Sequence, residues 1–205
     1  MHIEPLPIAG AYVVTPRQFP DVRGVFLESF RGDHLAEHLG HRPDIVQTNV
    51  SVSSRGTVRG IHFADVPPGQ GKYVTVLAGS LVDYVVDLRV GSKTFGRWEA
   101  VTLDAVDRRA VYLAEGLGHA FCALEDGSTV AYLCSEGYAP LREHSIDPFD
   151  ADLAIDWGLP REDLVISDKD AAAPALKDAA PSLPTWAASQ AYAAALAREH
   201  GVGGR

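Results

Sequence analysis

The sequence predicts an all-β fold, a sandwich or barrel of short strands, from three observations. The segment YVTVLAGSLVDYVVDLRVG alternates in side-chain character with a period of two, which is typical of strands whose two faces meet different environments. The segment GHAFCALEDGSTVAYLCSEGY repeats the strand–turn–strand pattern around Asp126-Gly127, a favoured hairpin-turn sequence. Further short strand-like runs, VYLAEG, GTVRGIHF and GRWEAVTLD, are separated by glycine and proline. Such punctuation favours a sandwich or a barrel.

The other segments predict a few short helices and a helical tail. A short helix is expected over residues 33–39, with Asp33 as its N-cap. The chain is irregular after Pro148 and rich in alanine later, where Thr185 is placed to cap a helix that runs to about His200 and stops at Gly201. We therefore expect a β domain over residues 1–180 and a tail over residues 181–205 whose last four residues are frayed.

The turn at Asp126-Gly127 predicts which side chains share a face. In a two-residue hairpin, Phe121 would pair with Tyr132 and His119 with Cys134, and cross-strand partners lie on the same face. The sequence therefore predicts that His119 and Tyr132 lie on one face of a hairpin.

A second turn at Gly79-Ser80 would pair Lys72 with Asp87 and Val76 with Asp83. One face would then carry a lysine, two aspartates and three valines. Such a face either lines a polar pocket inside a barrel or is a solvated face with a cross-strand ion pair.

Composition and charge argue against several classes of protein. The chain has 18 Lys and Arg against 27 Asp and Glu, a net charge of −9, whereas nucleic-acid binders need a basic face. No run approaches the roughly 18 apolar residues of a membrane helix. The first ten residues lack the pattern of a signal peptide, and two cysteines suggest reduced thiols. We therefore expect a cytoplasmic protein with no nucleic-acid or membrane partner, although local arginines can still hold a small anion.

Four polar residues in strand-like runs could together transfer protons next to a carbonyl group. They are His62, Lys72, His119 and Tyr132. Histidine is the usual general base near neutral pH, lysine can stabilise a developing enolate oxygen, and tyrosine can donate a proton. For each residue alone, a structural place in the core or at its rim is the commoner role.

A metal site is not expected, and neither is any other cofactor. Strand-rich barrels often hold metals through closely spaced histidines, but Ala64 stands two residues after His62. His62 and His119 are two ligands, fewer than the three protein ligands that a catalytic zinc or iron site normally uses.

Several motifs in order closely resemble the dTDP-4-dehydrorhamnose 3,5-epimerase family over about residues 1–176. They are DVRGVFLESF, VQTNVSVSSRGTVRGIHF, GQGKYVTVLAGSLVDYVVDLRVGSKTFGRW, YLAEGLGHAFCAL, DLAIDW and ISDKD. The resemblance implies a cupin-type β-jelly roll, a homodimer, and a metal-free epimerase. The implied substrate is a dTDP-4-keto-6-deoxyhexose.

The resemblance also implies the roles of the catalytic residues. His62, in RGIHF, would be the base, and Asp170, the last residue of SDKD, would orient and polarise it. Lys72 matches the lysine near the ketone oxygen. Tyr132 matches the acid on the side opposite the base, and His119 matches a pocket histidine.

Substrate-binding residues follow from the same resemblance. Arg23 and Arg59 match the arginines that bind the diphosphate, for which the planar guanidinium is suited. Gln47 and Asn49 match residues near the nucleotide and phosphates. Further matched binding positions are Phe26, Glu28 and Tyr138.

Two departures concern the outcome of the reaction. The run IHFADVPPG and the alanine-rich C-terminus are more similar to the branch that serves antibiotic deoxysugars, some members of which invert one carbon. We expect epimerisation at carbon 3, alone or followed by carbon 5, with the 3,5-double epimerase as the alternative. The sequence also leaves open a metal-dependent cupin isomerase or dioxygenase, and a sugar-binding or regulatory cupin without catalysis.

Overall fold

A computed structural model describes residues 1–200 and confirms the all-β prediction, with thirteen strands and three α-helices in this range. The strands are β1 His2–Pro5, β2 Ala11–Thr15, β3 Gln18–Asp21, β4 Gly24–Leu27, β5 Gln47–Ser53, β6 Val58–Ala64, β7 Lys72–Ala78, β8 Ser80–Asp87, β9 Trp98–Asp104, β10 Ala110–Leu113, β11 Leu117–Ala123, β12 Ser128–Cys134 and β13 Glu143–Ser145. The helices are α1 Gly32–Leu39, α2 Asp168–Ala171 and α3 Trp186–His200. No helix in residues 1–200 is long and apolar enough to cross a membrane.

Two antiparallel sheets form a sandwich. One sheet has the order β1-β2-β10-β7-β12-β5 and the other the order β13-β6-β11-β8-β9, while β3 and β4 form a separate hairpin. Along the chain, β5, β7, β10 and β12 belong to the first sheet and β6, β8, β9 and β11 to the second. The chain therefore crosses repeatedly between the sheets.

The core between the sheets uses one of the two faces that alternation predicts for β8. Leu81 and Val85 point inward, where they pack with valines from the facing sheet such as Val74. The opposite face carries Tyr84 and Val86, which pack outside the sandwich against the irregular segment after Pro148. The predicted division of β8 into two environments is confirmed.

Both predicted hairpins are wrong. β11 pairs with β6 and β8, and β12 pairs with β5 and β7, so Phe121 does not pair with Tyr132, nor His119 with Cys134. β7 and β8 also lie in different sheets, so Lys72 does not pair with Asp87. A turn between two strands has the same local sequence whether it closes a hairpin or a sandwich corner. Here both turns are corners.

The predicted cap of the first helix is also wrong, whereas the cap of the last helix is confirmed. Arg31, not Asp33, occupies the N-cap position of α1, and the Asp33 carboxylate is engaged by the Arg31 guanidinium. The Thr185 hydroxyl accepts a hydrogen bond from the Ala188 N–H at the start of α3. The predicted stop at Gly201 and the frayed end lie outside the described residues.

A buried ion pair helps to attach α3 to the sandwich. Asp87 accepts hydrogen bonds from Arg89, Ser92 and Thr94, and the Arg89 guanidinium stacks on the ring of Trp186 at 4.8 Å. Burial disfavours the charged form of Asp87, but these hydrogen bonds outweigh it and lower the pKa of the carboxyl.

We expect Asp87→Asn to lower the free energy of unfolding by about 3–5 kcal/mol, because it leaves the Arg89 charge buried without its partner. Chemical denaturation followed by circular dichroism measures the change. The exposed Asp107→Asn is the matched control and should leave stability unchanged. Equal stability of the two variants would show that the ion pair contributes nothing.

Candidate active site

A cavity of about 180 Å³ lies between the two sheets. Its walls come from strands of both sheets and from the segments that follow β6 and β12. The lining residues are Gln47, Asn49, Arg59, His62, Gln70, Lys72, His119, Phe121, Tyr132, Cys134, Tyr138 and Glu143. Eight of the twelve residues assigned from the sequence to catalysis or binding line this cavity.

A bulge in β6 places both Arg59 and His62 in the cavity. His119 pairs with His62 and Phe121 pairs with Arg59, so β6 has one residue more than β11 between these two pairs. The extra residue is near Gly60, which has φ 122° and lies so close to β11 that a Cβ would come within 2.6 Å of Ala120. Only glycine fits this position.

His62 forms a hydrogen-bonded pair with Asp170. Its Nε2 lies 2.7 Å from Asp170 Oδ1, and the carboxylate is almost fully buried. Asp170 belongs to the short helix α2, which Ser167 caps by accepting the Asp170 N–H. The structure therefore brings together two residues that are 108 positions apart in the sequence.

The segment that leads to α2 is aligned with β6 by backbone hydrogen bonds. The Val58 N–H donates to the carbonyl of Val165, and the Val165 N–H donates to the carbonyl of Gly56. A Cβ at Gly56 would collide with the Asp163 carbonyl, so glycine permits this close approach.

The charge of Asp170 is favoured despite its burial. Burial raises the pKa of the carboxyl, but hydrogen bonds from His62, Ser167 and the Gly60 N–H, with the charge of His62, lower it further than burial raises it. The carboxylate can therefore hold the His62 ring in one orientation.

A second histidine–aspartate pair lies deeper in the cavity. His119 Nε2 lies 2.6 Å from Asp83 Oδ2, and both side chains are buried. The other oxygen, Asp83 Oδ1, has no hydrogen-bond partner within residues 1–200. Sequence reasoning placed Asp83 on the face of Lys72 but gave it no role. The sequence pattern that could have identified Asp83 as a site residue is an aspartate that alternation places among inward-facing valines.

Of the two interpretations of that face, the polar pocket is confirmed. Lys72 lines the cavity and Asp83 is buried against it, whereas Asp87 pairs with Arg89 elsewhere. Burial lowers the pKa of Lys72, and the negative charges of Glu143 and Asp83 oppose that effect.

Tyr132 faces His119 from the opposite sheet. Their ring centroids are 6.0 Å apart in an edge-to-face arrangement. The two side chains therefore meet across the cavity from facing sheets, and the prediction that they share one face of a hairpin is wrong. The Tyr132 hydroxyl lies 3.1 Å from Ser51 Oγ. Burial raises the pKa of Tyr132, and hence the phenol is protonated at neutral pH.

Binding residues predicted from the resemblance fall into two groups. Gln47, Asn49, Arg59 and Tyr138 line the cavity, with the Tyr138 N–H donating to Gln47 Oε1.

Three predicted binding residues do not line the cavity of their own chain. Arg23 pairs with Asp21 in the β3–β4 hairpin, and Phe26, in β4, is 68% exposed. Glu28, just after β4, pairs with Arg31.

Metal ligands are not clustered in the described part of the chain. Within residues 1–200, no group of three or more His, Cys, Asp and Glu side chains is placed to hold a metal ion. The expectation of a metal-free reaction stays a prediction.

Comparison with known proteins identifies the class of protein. The family model for dTDP-4-dehydrorhamnose 3,5-epimerase matches residues 5–178. A Mycolicibacterium smegmatis dTDP-4-dehydrorhamnose 3,5-epimerase is 54% identical over 94% of this chain and 96% of its own. A Streptomyces niveus dTDP-4-dehydrorhamnose 3-epimerase is 52% identical over 93% and 92%.

Solved structures agree with these relatives. The 3′-monoepimerase ChmJ from Streptomyces bikiniensis, in complex with dTDP-quinovose, superposes with a TM-score of 0.90 at 47% identity, covering 97% of this chain and all of that one. NovW, a 4-keto-6-deoxy sugar epimerase from the novobiocin cluster of Streptomyces spheroides, gives 0.89 at 52% identity, over 93% and 96%. The fold and the site thus define a cupin-fold carbohydrate epimerase, an isomerase. The chain belongs to the dTDP-4-dehydrorhamnose 3,5-epimerase family.

The lowered pKa of Asp170 predicts how stability depends on pH. A carboxyl with a lowered pKa stabilises the fold above its ordinary pKa of 3.8, and this contribution is lost as the pH falls through the lower value of the folded chain. We expect Asp170→Asn to lower the free energy of unfolding at pH 7, and the difference from the unchanged chain to shrink as the pH falls below about 4.

Urea denaturation at several pH values measures this dependence. Asp168→Asn, an exposed carboxylate in the same helix, is the control. A stability difference for Asp170→Asn that is constant from neutral to acid pH would contradict the prediction.

Proposed function

We propose that this chain epimerises dTDP-4-keto-6-deoxy-D-glucose at carbon 3, alone or followed by carbon 5, without a metal. The observation that carries the proposal is the placement of a histidine–carboxylate pair on one sheet and a protonated phenol on the facing sheet, across one cavity. Epimerisation next to a ketone needs that arrangement, because a proton leaves one side of a carbon and another arrives on the opposite side.

His62 is the base in this proposal. The ketone at carbon 4 acidifies the protons on carbons 3 and 5, and a neutral imidazole can remove one of them. The charge of Asp170, 2.7 Å from Nε2, stabilises the imidazolium that forms. The half-buried His62 ring remains open to the cavity.

Lys72 stabilises the enolate oxygen that develops at carbon 4. A cationic donor in a buried site stabilises such an oxyanion much more strongly than it would in water. The His119–Asp83 pair lies in the same part of the cavity and can donate a further hydrogen bond when His119 is protonated.

Tyr132 is the acid that reprotonates the opposite side of the ring. Its phenol is protonated at neutral pH because burial raises its pKa. Its position on the sheet facing His62 and Asp170 supports this role.

The nucleotide part of the substrate is held at the mouth of the cavity by Arg59, Gln47, Asn49 and Tyr138. The Arg59 guanidinium is suited to the diphosphate, and the exposed Tyr138 ring offers a stacking surface for a base. These groups supply a local positive and polar surface on a chain of net negative charge.

Arg23, Phe26 and Glu28 fit the proposal only if a second copy of the chain supplies them. The β3–β4 hairpin exposes apolar side chains, and the outward face of the edge strand β5 exposes Val50 and Val52. Apolar strands at a sheet edge need covering. We therefore propose a homodimer in which each hairpin reaches the partner's cavity.

Relatives support either stereochemical outcome. The Streptomyces niveus relative is named a 3-epimerase and the ChmJ structure a 3′-monoepimerase, whereas the Mycolicibacterium smegmatis relative is named a 3,5-epimerase. The double epimerase is thus the second candidate, supported by the 54% identity of that relative.

The first test incubates dTDP-4-keto-6-deoxyglucose with the chain in deuterated water and follows the sugar by proton NMR. We expect the carbon 3 proton to exchange with inversion, before or without carbon 5. Loss of both signals with inversion at both carbons would make the chain a double epimerase. Exchange at carbon 5 alone would overturn the proposed preference.

His62→Asn should lower turnover in this assay by about 10²–10⁴-fold, because the general base is removed. Binding of dTDP, measured by calorimetry, should be nearly unchanged. His144→Asn is a matched control, since His144 forms a 2.7 Å pair with Asp65 on the same sheet without lining the cavity. Full activity of His62→Asn would refute the base, and loss of turnover on prolonged chelation would refute the metal-free reaction.

Light scattering should give the mass of a dimer, and mixed dimers test the shared site. Arg23→Ala and His62→Asn chains should each be weakly active alone. When they are unfolded and refolded together, half of the dimers are mixed and each contains one intact site, so about a quarter of full activity should return. A monomer with full activity, or no recovery on mixing, would contradict the proposal.

A further inference from the structure

The strand β5 turns an entirely polar row of side chains inward. Its inward positions are Gln47, Asn49, Ser51 and Ser53, whereas its outward positions include the exposed Val50 and Val52. Gln47 and Asn49 line the cavity, and Ser53 accepts a hydrogen bond from Arg59. The remaining member of the row, Ser51, reaches the Tyr132 hydroxyl at 3.1 Å.

We propose that Ser51 is a positioning residue that fixes the Tyr132 hydroxyl and thereby sets how often proton removal ends in inversion. This inference rests on the proposed function, in which Tyr132 is the acid.

Packing holds the Tyr132 ring, but the hydroxyl depends on Ser51. The ring lies between His119 at 6.0 Å and Phe121 at 6.5 Å, both from the facing sheet. In the backbone register Tyr132 lies opposite Asn49, and Ser51 opposite Val130, so Ser51 is a diagonal neighbour of Tyr132 on the adjacent strand. Within residues 1–200, Ser51 provides the hydrogen bond to the phenol oxygen.

The Ser51–Tyr132 hydrogen bond affects the reprotonation step because that step leaves a negative charge on Tyr132. When the enolate is protonated, its electron pair forms the new C–H bond, the Tyr132 O–H bond breaks, and a tyrosinate remains. The tyrosinate can only accept, so Ser51 donates to it. Burial disfavours the tyrosinate and raises the pKa of Tyr132, while the Ser51 hydrogen bond acts in the opposite direction.

Loss of the Ser51 hydroxyl would therefore slow reprotonation by Tyr132 without slowing proton removal. Proton removal by His62 would continue, because His62 and Asp170 belong to the other wall of the cavity. An enolate that Tyr132 protonates too slowly is reprotonated by His62 on the original side. In deuterated water this gives labelled substrate without inversion.

The test compares Ser51→Ala with the unchanged chain in deuterated water. We expect inverted product to form about 3–10-fold more slowly, the range for one lost hydrogen bond, while exchange into unreacted substrate persists and the ratio of exchange to inversion rises. Ser51→Thr, which keeps a hydroxyl, should restore the ratio. Ser51→Cys, a weaker donor of similar size, should give an intermediate ratio. It replaces Ser51→Ala as the test if the alanine variant folds poorly.

Controls separate the possible failures. Ser54→Ala removes an exposed hydroxyl just beyond the same strand, where it contacts Thr57, and should leave the ratio unchanged. An unchanged ratio in Ser51→Ala, with or without a higher KM, would overturn the positioning role, since a contact with the substrate alone changes KM.

Tyr132→Phe distinguishes this inference from the proposed function. If it abolishes inversion while exchange persists, Tyr132 is the acid, and Ser51→Ala added to that background should leave the exchange rate unchanged. If the Tyr132→Phe variant inverts normally, Tyr132 is not the acid, and the inference about Ser51 fails together with the proposed function. If it abolishes inversion while Ser51→Ala alone leaves the ratio unchanged, only the inference fails.

Discussion

The bulge at Gly60 is the constraint on which the rest of the site depends. Strict alternation along β6 would send Arg59 and His62 to opposite faces of the sheet, so only one of them could reach the cavity. The extra residue of the bulge turns both side chains inward. β11 can lie against the bulge because Gly60 has no Cβ. The same Gly60 donates its N–H to Asp170, so one backbone irregularity places the proposed base, its carboxylate and the arginine proposed to bind the diphosphate.

The sandwich itself provides the two sides that an epimerase needs. Facing sheets are about 10 Å apart, which leaves room for one sugar ring between their inward side chains where the core is open. His62, His119 and their aspartates belong to the five-stranded sheet or pack on it, whereas Tyr132 and Lys72 belong to the six-stranded sheet. In the proposed reaction, removal of a proton on one side and its return on the other thus follow from which sheet supplies each residue.

Sequence alone predicted the strands but not how they pair. Alternation identified β8 and both of its faces, because burial in two separate clusters imposes a period of two. The corners at Gly79 and Gly127 could not be distinguished from hairpins, since the competing partners β5, β6 and β10 lie far away in the sequence. His119 and Tyr132 were placed together for a wrong reason. Asp170 came only from the family resemblance, because a carboxylate 108 residues from its histidine leaves no local pattern.

The charges of the cavity fit the proposal that an acidic chain holds a dianionic diphosphate. Asp83 and Asp170 each lie behind a histidine, and neither carboxyl group lines the cavity itself. Lys72 and Arg59 face the open space. Relatives of 54% and 52% identity bear the names of a double and a single epimerase, so this charge pattern and fold do not by themselves choose the carbon. In the proposed reaction that choice depends on which ring carbons the Tyr132 phenol can reach, and Ser51 holds the hydroxyl of that phenol at 3.1 Å.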